Sequence, residues 1–387
     1  MFAERTNWNT SPNRIARALT ERRASGADIV DLTETNPTRC GFAFDHDALL
    51  SPLADPRGVT YTPDPRGMMQ TRRAIAAMNT ARGCPSHPEQ VFLTAGTSEA
   101  YSHLFRLLCN PGDSVLVPSP SYPLLDFLAQ LCDVRLIPYP LHYLSDRWSI
   151  DLDALTAAIE TRTRAVIVIH PNNPTGSFIT RSEHDAIVGI AESSSMAVIA
   201  DEVFADFVLN DTPDRLPGWA GQQDRVLTFS LGGASKTLAL PQMKISWLTV
   251  DGPPDGVADA CARLEVCTDT YLSVSTPAQL ALPHWLEQRQ TIQAPIHRRL
   301  RSNLDQLETL PAGCVLHTEG GWSSILRFPR TMPDETRTLT LLDDAGVLID
   351  PGSFYGFSSP GFGVISLIVP QATFAEGIAR LTPALGA

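Results

Sequence analysis

A chain of 387 residues, 43% hydrophobic and 19% charged, is too long for one core of ordinary size and too apolar to stay disordered. Its net charge of −12, with 30 basic residues scattered along it, argues against a stripe that follows a nucleic-acid backbone. The apolar stretches fall far short of a bilayer span, so a soluble protein of two domains, one large and one small, is the expectation.

The other global signals agree. Basic clusters at "ERR" (21–23), "RR" (72–73) and "HRRLR" (297–301) lie in helix-like stretches and read as solvated faces. The N-terminal "MFAERTNWNTSPNR" lacks the apolar run of a signal peptide. Seven irregularly spaced cysteines fit reduced thiols in a cytoplasm, and no His/Cys cluster has the spacing of a metal site.

In chain order, "QTRRAIAAMNTARG" reads as a helix closed by Gly83, followed by the short strand "VFLT" (91–94). "SEAYSHLFRLLC" is an apolar helix and "DSVLVP" the next strand. "AVIVI" (165–169), "MAVIA" (196–200) and "RVLTFS" (225–230) are continuous β-branched or apolar runs, the texture of strands buried on both faces. Strands alternating with helices predict an α/β fold: a mostly parallel sheet with helices on both faces, plus a smaller α+β domain. After about residue 275 a long helical stretch carries Pro283 and Pro295, which should kink or split it. The short strands "SSILRF" and "GVISLIV" and a last helix, "TFAEGIARLTPAL", follow. The expected large domain spans 45–275; residues 1–44 and 276–387 form the N-terminal arm and the small domain.

Ligands of parallel sheets sit at the carboxyl ends of the strands, so those ends carry the functional reading. After "VFLT", "AGTSEA" opens into a helix whose first amides could seat an anion, or whose Thr97 or Ser98 could simply cap it. After "DSVLV", "PSPSYP" presents Tyr122, a flat face for another ring or a packed loop residue. "HPNNPTG" (170–176) is a rigid turn with amide side chains. Asp201 ends "MAVIA" as a buried carboxylate in need of a cation, a cap or an ion pair. "GGASK" follows "RVLTFS" and brings Lys236. A phosphate seat, a stacking aromatic, an amide, a carboxylate and a lysine form the inventory that pyridoxal phosphate needs.

Through "YTPDPRG", "TAGTSEA", "PSPSYP", "HPNNPTG", "ADEVF" and "GGASK", over about residues 60–245, the chain resembles the class I/II aminotransferases, fold-type I pyridoxal-phosphate enzymes related to aspartate aminotransferase. The resemblance implies Lys236 as the Schiff-base lysine and Asp201 as the partner of the pyridine nitrogen. It implies Asn173 as donor to the phenolic oxygen and Tyr122 as the stacking ring. Ala95, Gly96 and Thr97 would seat the phosphate, with Lys244 standing where the family has arginine. Tyr61 would reach the phosphate of a neighbouring subunit, implying a homodimer with shared sites.

Several positions depart from the family's pattern. Phe204 replaces a tyrosine that donates to the phenolic oxygen, which should raise the pKa of the Schiff base. Gly233 replaces a serine, whose hydroxyl Ser230 would have to supply. Val364 stands where an arginine grips the substrate α-carboxylate, and Tyr271 marks a region without the arginine of dicarboxylate-specific relatives. Arg39 and Arg66, with Asn36 beside the first, are the remaining candidates for substrate contact. The expected activity is amino transfer from an amino acid to a 2-oxo acid, with the donor unassigned and aspartate disfavoured. The alternatives are a lyase or decarboxylase on the same cofactor and, more remotely, a non-catalytic binding homologue.

Overall fold

A computed structural model describes residues 1–212 and 214–385; residue 213 and the last two positions of the expected small domain lie outside them. Its main sheet has eight strands: β1 (Val91–Thr94), β2 (Ser114–Ser119), β3 (Arg135–Leu144), β4 (Arg147–Ile150), β5 (Thr163–Ile169), β6 (Ala197–Asp201), β7 (Thr228–Gly233) and β8 (Ser246–Asp251). They lie in the order β1-β8-β7-β6-β5-β2-β3-β4. β3, β2, β5, β6 and β7 pair in parallel; β8 runs antiparallel between β7 and β1, and β4 antiparallel at the far edge. The five residues of "AVIVI" are all buried, as a strand covered on both faces by helices requires.

Three expectations are corrected here. β7 lies at 228–233 rather than 225–230, so both glycines are inside the strand. They are there for space. A Cβ at Gly232 would fall 2.4 Å from Trp247 Nε1, and one at Gly233 2.4 Å from Ser246 Oγ, both on β8. Pro283 and Pro295 each sit inside a helix, Thr276–Glu287 and Arg289–Leu307, and the break falls between them at Gln288. Buried Leu282 and Trp285 on one side, and Ile292 and Ile296 on the other, hold both prolines in helical backbone. Finally, "RR" at 72–73 is not a wholly solvated face. Arg72 is buried and donates to the carbonyls of Gly67 and Pro88 and to Glu89.

In the main sheet the β3–β4 hairpin and β8 have no counterpart among the expected strands. The β3–β4 hairpin turns through Ser145 and Asp146, both at positive φ, a turn geometry that short polar residues tolerate. β8 carries an alternation too short to be distinctive. Beyond the main sheet, β9 (Ser323–Arg327), β10 (Asp350–Pro351) and β11 (Phe362–Ser366) form a small antiparallel sheet with β11 central. It packs with the helices Arg289–Leu307 and Gln371–Leu385 around a second core that includes Trp322, Ile365 and Phe374. Among the described residues no helix is long and apolar enough to cross a membrane. All seven cysteines are free thiols.

Candidate active site

β1, β2, β5, β6 and β7 end at one edge of the sheet, and β8, running the other way, begins there. A cavity of about 210 Å³ opens at that edge. Its walls hold Thr97 and Ser98 after β1, Tyr122 after β2, Ile169 at the end of β5 and Asn173 just beyond it, Asp201 at the end of β6, and Gly233 and Lys236 on and after β7. Thus Lys236, Asp201, Asn173, Tyr122 and Thr97, separated by up to 139 positions in the chain, face one space.

Burial sets the electrostatics. Desolvation holds the Lys236 ammonium down to about 8 against the opposing pull of Asp201 and Cys40. Its Nζ lies over the rings of Trp322, at 4.9 Å, and Phe204, at 5.4 Å. Desolvation likewise lifts the Asp201 carboxyl to about 6, although the Val203 amide and the Tyr101 hydroxyl donate to it at 3.2 and 3.1 Å and Lys236 lies near. Tyr101 gave no sign in the sequence. It belongs to the helix Thr97–Leu108, four residues past Thr97, and reaches Asp201 only because that helix crosses the sheet edge.

Gly96, just before the lining residues Thr97 and Ser98, is the N-cap of this helix, and no side chain caps it, so the capping expectation for Thr97 or Ser98 fails. The Ala95 amide donates to the Glu99 carboxylate at 2.5 Å, which leaves the amides of Gly96, Thr97 and Ser98 for an anion. A Cβ at Gly96 would lie 3.3 Å from Lys244 Nζ. A small, open cradle with a cation at its lip results.

The remaining candidates are placed elsewhere. Arg66 is held by Glu265 at 2.8 Å and by the Glu89 carbonyl, over the Phe92 ring. Arg39 is solvent-exposed and 3.5 Å from Glu34, and Asn36 caps its own turn through the amide and hydroxyl of Thr38. None of the three lines the cavity, whereas their neighbour Thr35 does. Tyr61 is 67% exposed and outside the cavity of its own chain. Tyr271 is also exposed, against His103 and Arg106. Val364 is buried in an apolar cluster with Trp148 and Ile325, against which Tyr355 packs. Ser230 is buried outside the cavity wall, its hydroxyl without a partner. The wall is instead completed by Trp322, beside Lys236, and by Tyr355, Leu124, Leu125 and Leu128. These aromatic and apolar residues lie in parts of the chain where no spacing marked them.

Comparison with known proteins agrees with this geometry. The glutamate-pyruvate aminotransferase AlaA of Escherichia coli (strain K12) is 30% identical over 262 residues, 66% of this chain and 63% of its own length. The chain therefore spans somewhat under two thirds of that relative. The alanine aminotransferase of Mycobacterium tuberculosis (strain H37Rv) is 28% identical over 378 residues, 92% of this chain and 86% of the relative. In fold, the structure of an alanine aminotransferase from Pyrococcus furiosus covers 100% of both chains at a TM-score of 0.89 and 23% identity. Residues 35–381 match the family of class I and II aminotransferases, and the chain belongs to that family.

Proposed function

We propose that the protein is a pyridoxal-phosphate-dependent aminotransferase, passing an amino group from an amino acid to a 2-oxo acid. The observation that carries this reading is the meeting, in one cavity, of the desolvated Lys236 with the buried carboxylate of Asp201. Neither charge has an ion-pair partner within 4 Å among the described residues, and both suit a cofactor that brings an aldehyde and a basic ring nitrogen. Lys236 would bond the aldehyde and Asp201 would face the ring nitrogen. Asn173 and Tyr122 would meet the ring, and the amides of Gly96 and Thr97 with Lys244 would hold the phosphate. The bound group supplies an electron sink that weakens the bonds of the substrate Cα.

The chain's own residues then have defined tasks. An amine held near 8 is neutral in a useful fraction at physiological pH, so Lys236 can take and return a proton at the substrate Cα. A carboxylate deprived of water is stabilised by a protonated ring nitrogen more than a solvated one would be, and the Tyr101 hydroxyl orients it. Phe204, packed edge-on against Trp322, keeps water from the lysine but has no hydroxyl to donate. A wall that includes Leu124, Leu125, Leu128 and Tyr355, with no arginine among the described lining residues, supports a donor with an uncharged side chain and disfavours aspartate. The same feature supports the second reading, a lyase or decarboxylase, because no arginine among the described lining residues fixes the substrate carboxylate.

A homodimer in the cytoplasm completes the proposal. Val59, Tyr61 and Leu272, at 91%, 67% and 66% exposure, suit a partner subunit, with Tyr61 reaching the neighbouring phosphate. The large domain would span 45–275, with the arm and residues 276–387 forming the small one.

The test is the absorption spectrum of the purified protein and its response to single amino acids. A visible band lost in Lys236→Ala, then bleached by apolar amino acids with stoichiometric 2-oxo acid and pyridoxamine phosphate, is the expected result. Release of ammonia or carbon dioxide selects the second reading. Absence of a band after adding the cofactor overturns both and leaves a non-catalytic binding homologue.

A further inference from the structure

We propose that the Ser246 hydroxyl is a phosphate-binding group of this site, supplied across the β7–β8 ladder because residue 233 has no side chain. The proposal rests on the pyridoxal-phosphate reading above and assigns to Ser246 the role first sought at Ser230.

Gly233 and Ser246 are directly opposed in the antiparallel pair β7–β8. Gly233 is extended, at φ −174°, so its backbone does not require glycine. Space does: a Cβ there would lie 2.4 Å from Ser246 Oγ and 3.1 Å from Ser246 Cβ. The serine hydroxyl therefore occupies the place that a side chain three residues before Lys236 would fill. Ser246 is 1% exposed, yet it lines the cavity together with Gly233, Ser235, Thr97 and Ser98. Its hydroxyl has no hydrogen-bond partner among the described residues. A hydroxyl that lines a cavity and has no protein partner is free to bond a ligand or a water.

The surroundings select an anion. Ser246 is paired with Thr94, just before the uncapped start of the 12-residue helix Thr97–Leu108, whose Thr97 and Ser98 line the same cavity, and Lys244, two residues before Ser246, has its Nζ 3.3 Å from where a Cβ at Gly96 would lie. Among the described residues Asp201 is the one carboxylate lining the cavity, and Glu99 is turned to the Ala95 amide. A phosphate ester is the group that these donors together would suit. The antiparallel course of β8 is what makes the contribution possible, since it brings the first residue of that strand to the edge where the parallel strands end.

The test separates the phosphate from the ring by titrating the cofactor-free protein with pyridoxamine phosphate and with pyridoxamine, neither of which bonds Lys236 covalently. Losing one hydrogen bond to a charged phosphate should weaken pyridoxamine phosphate by about 10- to 100-fold in Ser246→Ala. Binding of pyridoxamine should stay within about twofold of wild type. Ser246→Gly should behave like Ser246→Ala, and the exchange Gly233→Ser with Ser246→Gly should restore most of the affinity by returning the hydroxyl from the other strand. If wild type binds pyridoxamine phosphate and Ser246→Ala binds it equally well, or weakens both ligands alike, the assignment falls while the cofactor reading stands. If wild type distinguishes the two ligands by no margin, the cofactor reading falls with it.

Discussion

Replacing Lys236 with methionine should stabilise the cofactor-free protein, and by an amount that depends on pH. The lysine is nearly enclosed between Phe204 and Trp322, and burial holds its ammonium from 10.5 down to about 8. Because the folded pKa is depressed, the unfolded chain binds more protons between those two values, and stability rises with pH across that window. Below about 8 the folded protein carries the whole cost. A difference of 2.5 units (10.5 minus 8) corresponds to about 3.4 kcal/mol at 1.36 kcal/mol per unit. The attraction of Asp201 is already contained in the folded value of about 8, so a stabilisation of about 3 kcal/mol is expected at pH 7. By pH 9.5 the wild-type lysine is neutral in the folded state but still mostly charged in the unfolded chain, and the advantage should shrink to about 1.4 kcal/mol. Equilibrium urea unfolding of both cofactor-free proteins at the two pH values measures it. A variant no more stable than wild type at pH 7, or one whose advantage is the same at pH 9.5, would refute the claim that this lysine is held in a desolvated site.

Asp201→Asn should also stabilise the cofactor-free protein, by about 3 kcal/mol at pH 8 and by almost nothing near pH 4. Here the folded pKa, about 6, is raised above 3.8, so stability falls as pH rises through that window and the full cost is present above it. The same variant should bind pyridoxamine phosphate more weakly, which a parallel titration would read. Phe204→Tyr restores a hydroxyl beside Lys236 and should lower the pH midpoint of the visible band; an unchanged midpoint means the phenylalanine is electrostatically neutral toward the cofactor. Gly232→Ala places a Cβ 2.4 Å from Trp247 Nε1 in the centre of the sheet. It should cost roughly 1–3 kcal/mol in urea unfolding, because two paired strands give little room for the indole to move.

Much of the site was legible in the residues. Continuous β-branched runs implied buried parallel strands, and reading the residues just past each run picked out Thr97, Tyr122, Asn173, Asp201 and Lys236, all of which line one cavity. That succeeds because a parallel sheet aligns its carboxyl ends whatever the details of packing. The arginines show the limit. Arg39 and Arg66 sit in segments that resemble active-site loops, but the direction of a long side chain is set by nearby carboxylates, here Glu34 and Glu265, and each points to its ion-pair partner.

What the chain determined by itself, then, was the order of strands and helices and the identity of groups at strand ends, because hydrophobic periodicity and turn residues act locally. Tertiary structure alone decided which distant residues complete the site. Tyr101 meets Asp201 across the start of a helix, Trp322 arrives from beside the small sheet to cover Lys236, and Ser246 fills the space left at Gly233 because β8 runs against its neighbours. Desolvation of Lys236 and Asp201 belongs to the same class: it arises from the sum of everything packed around them, and no window of sequence contains that sum.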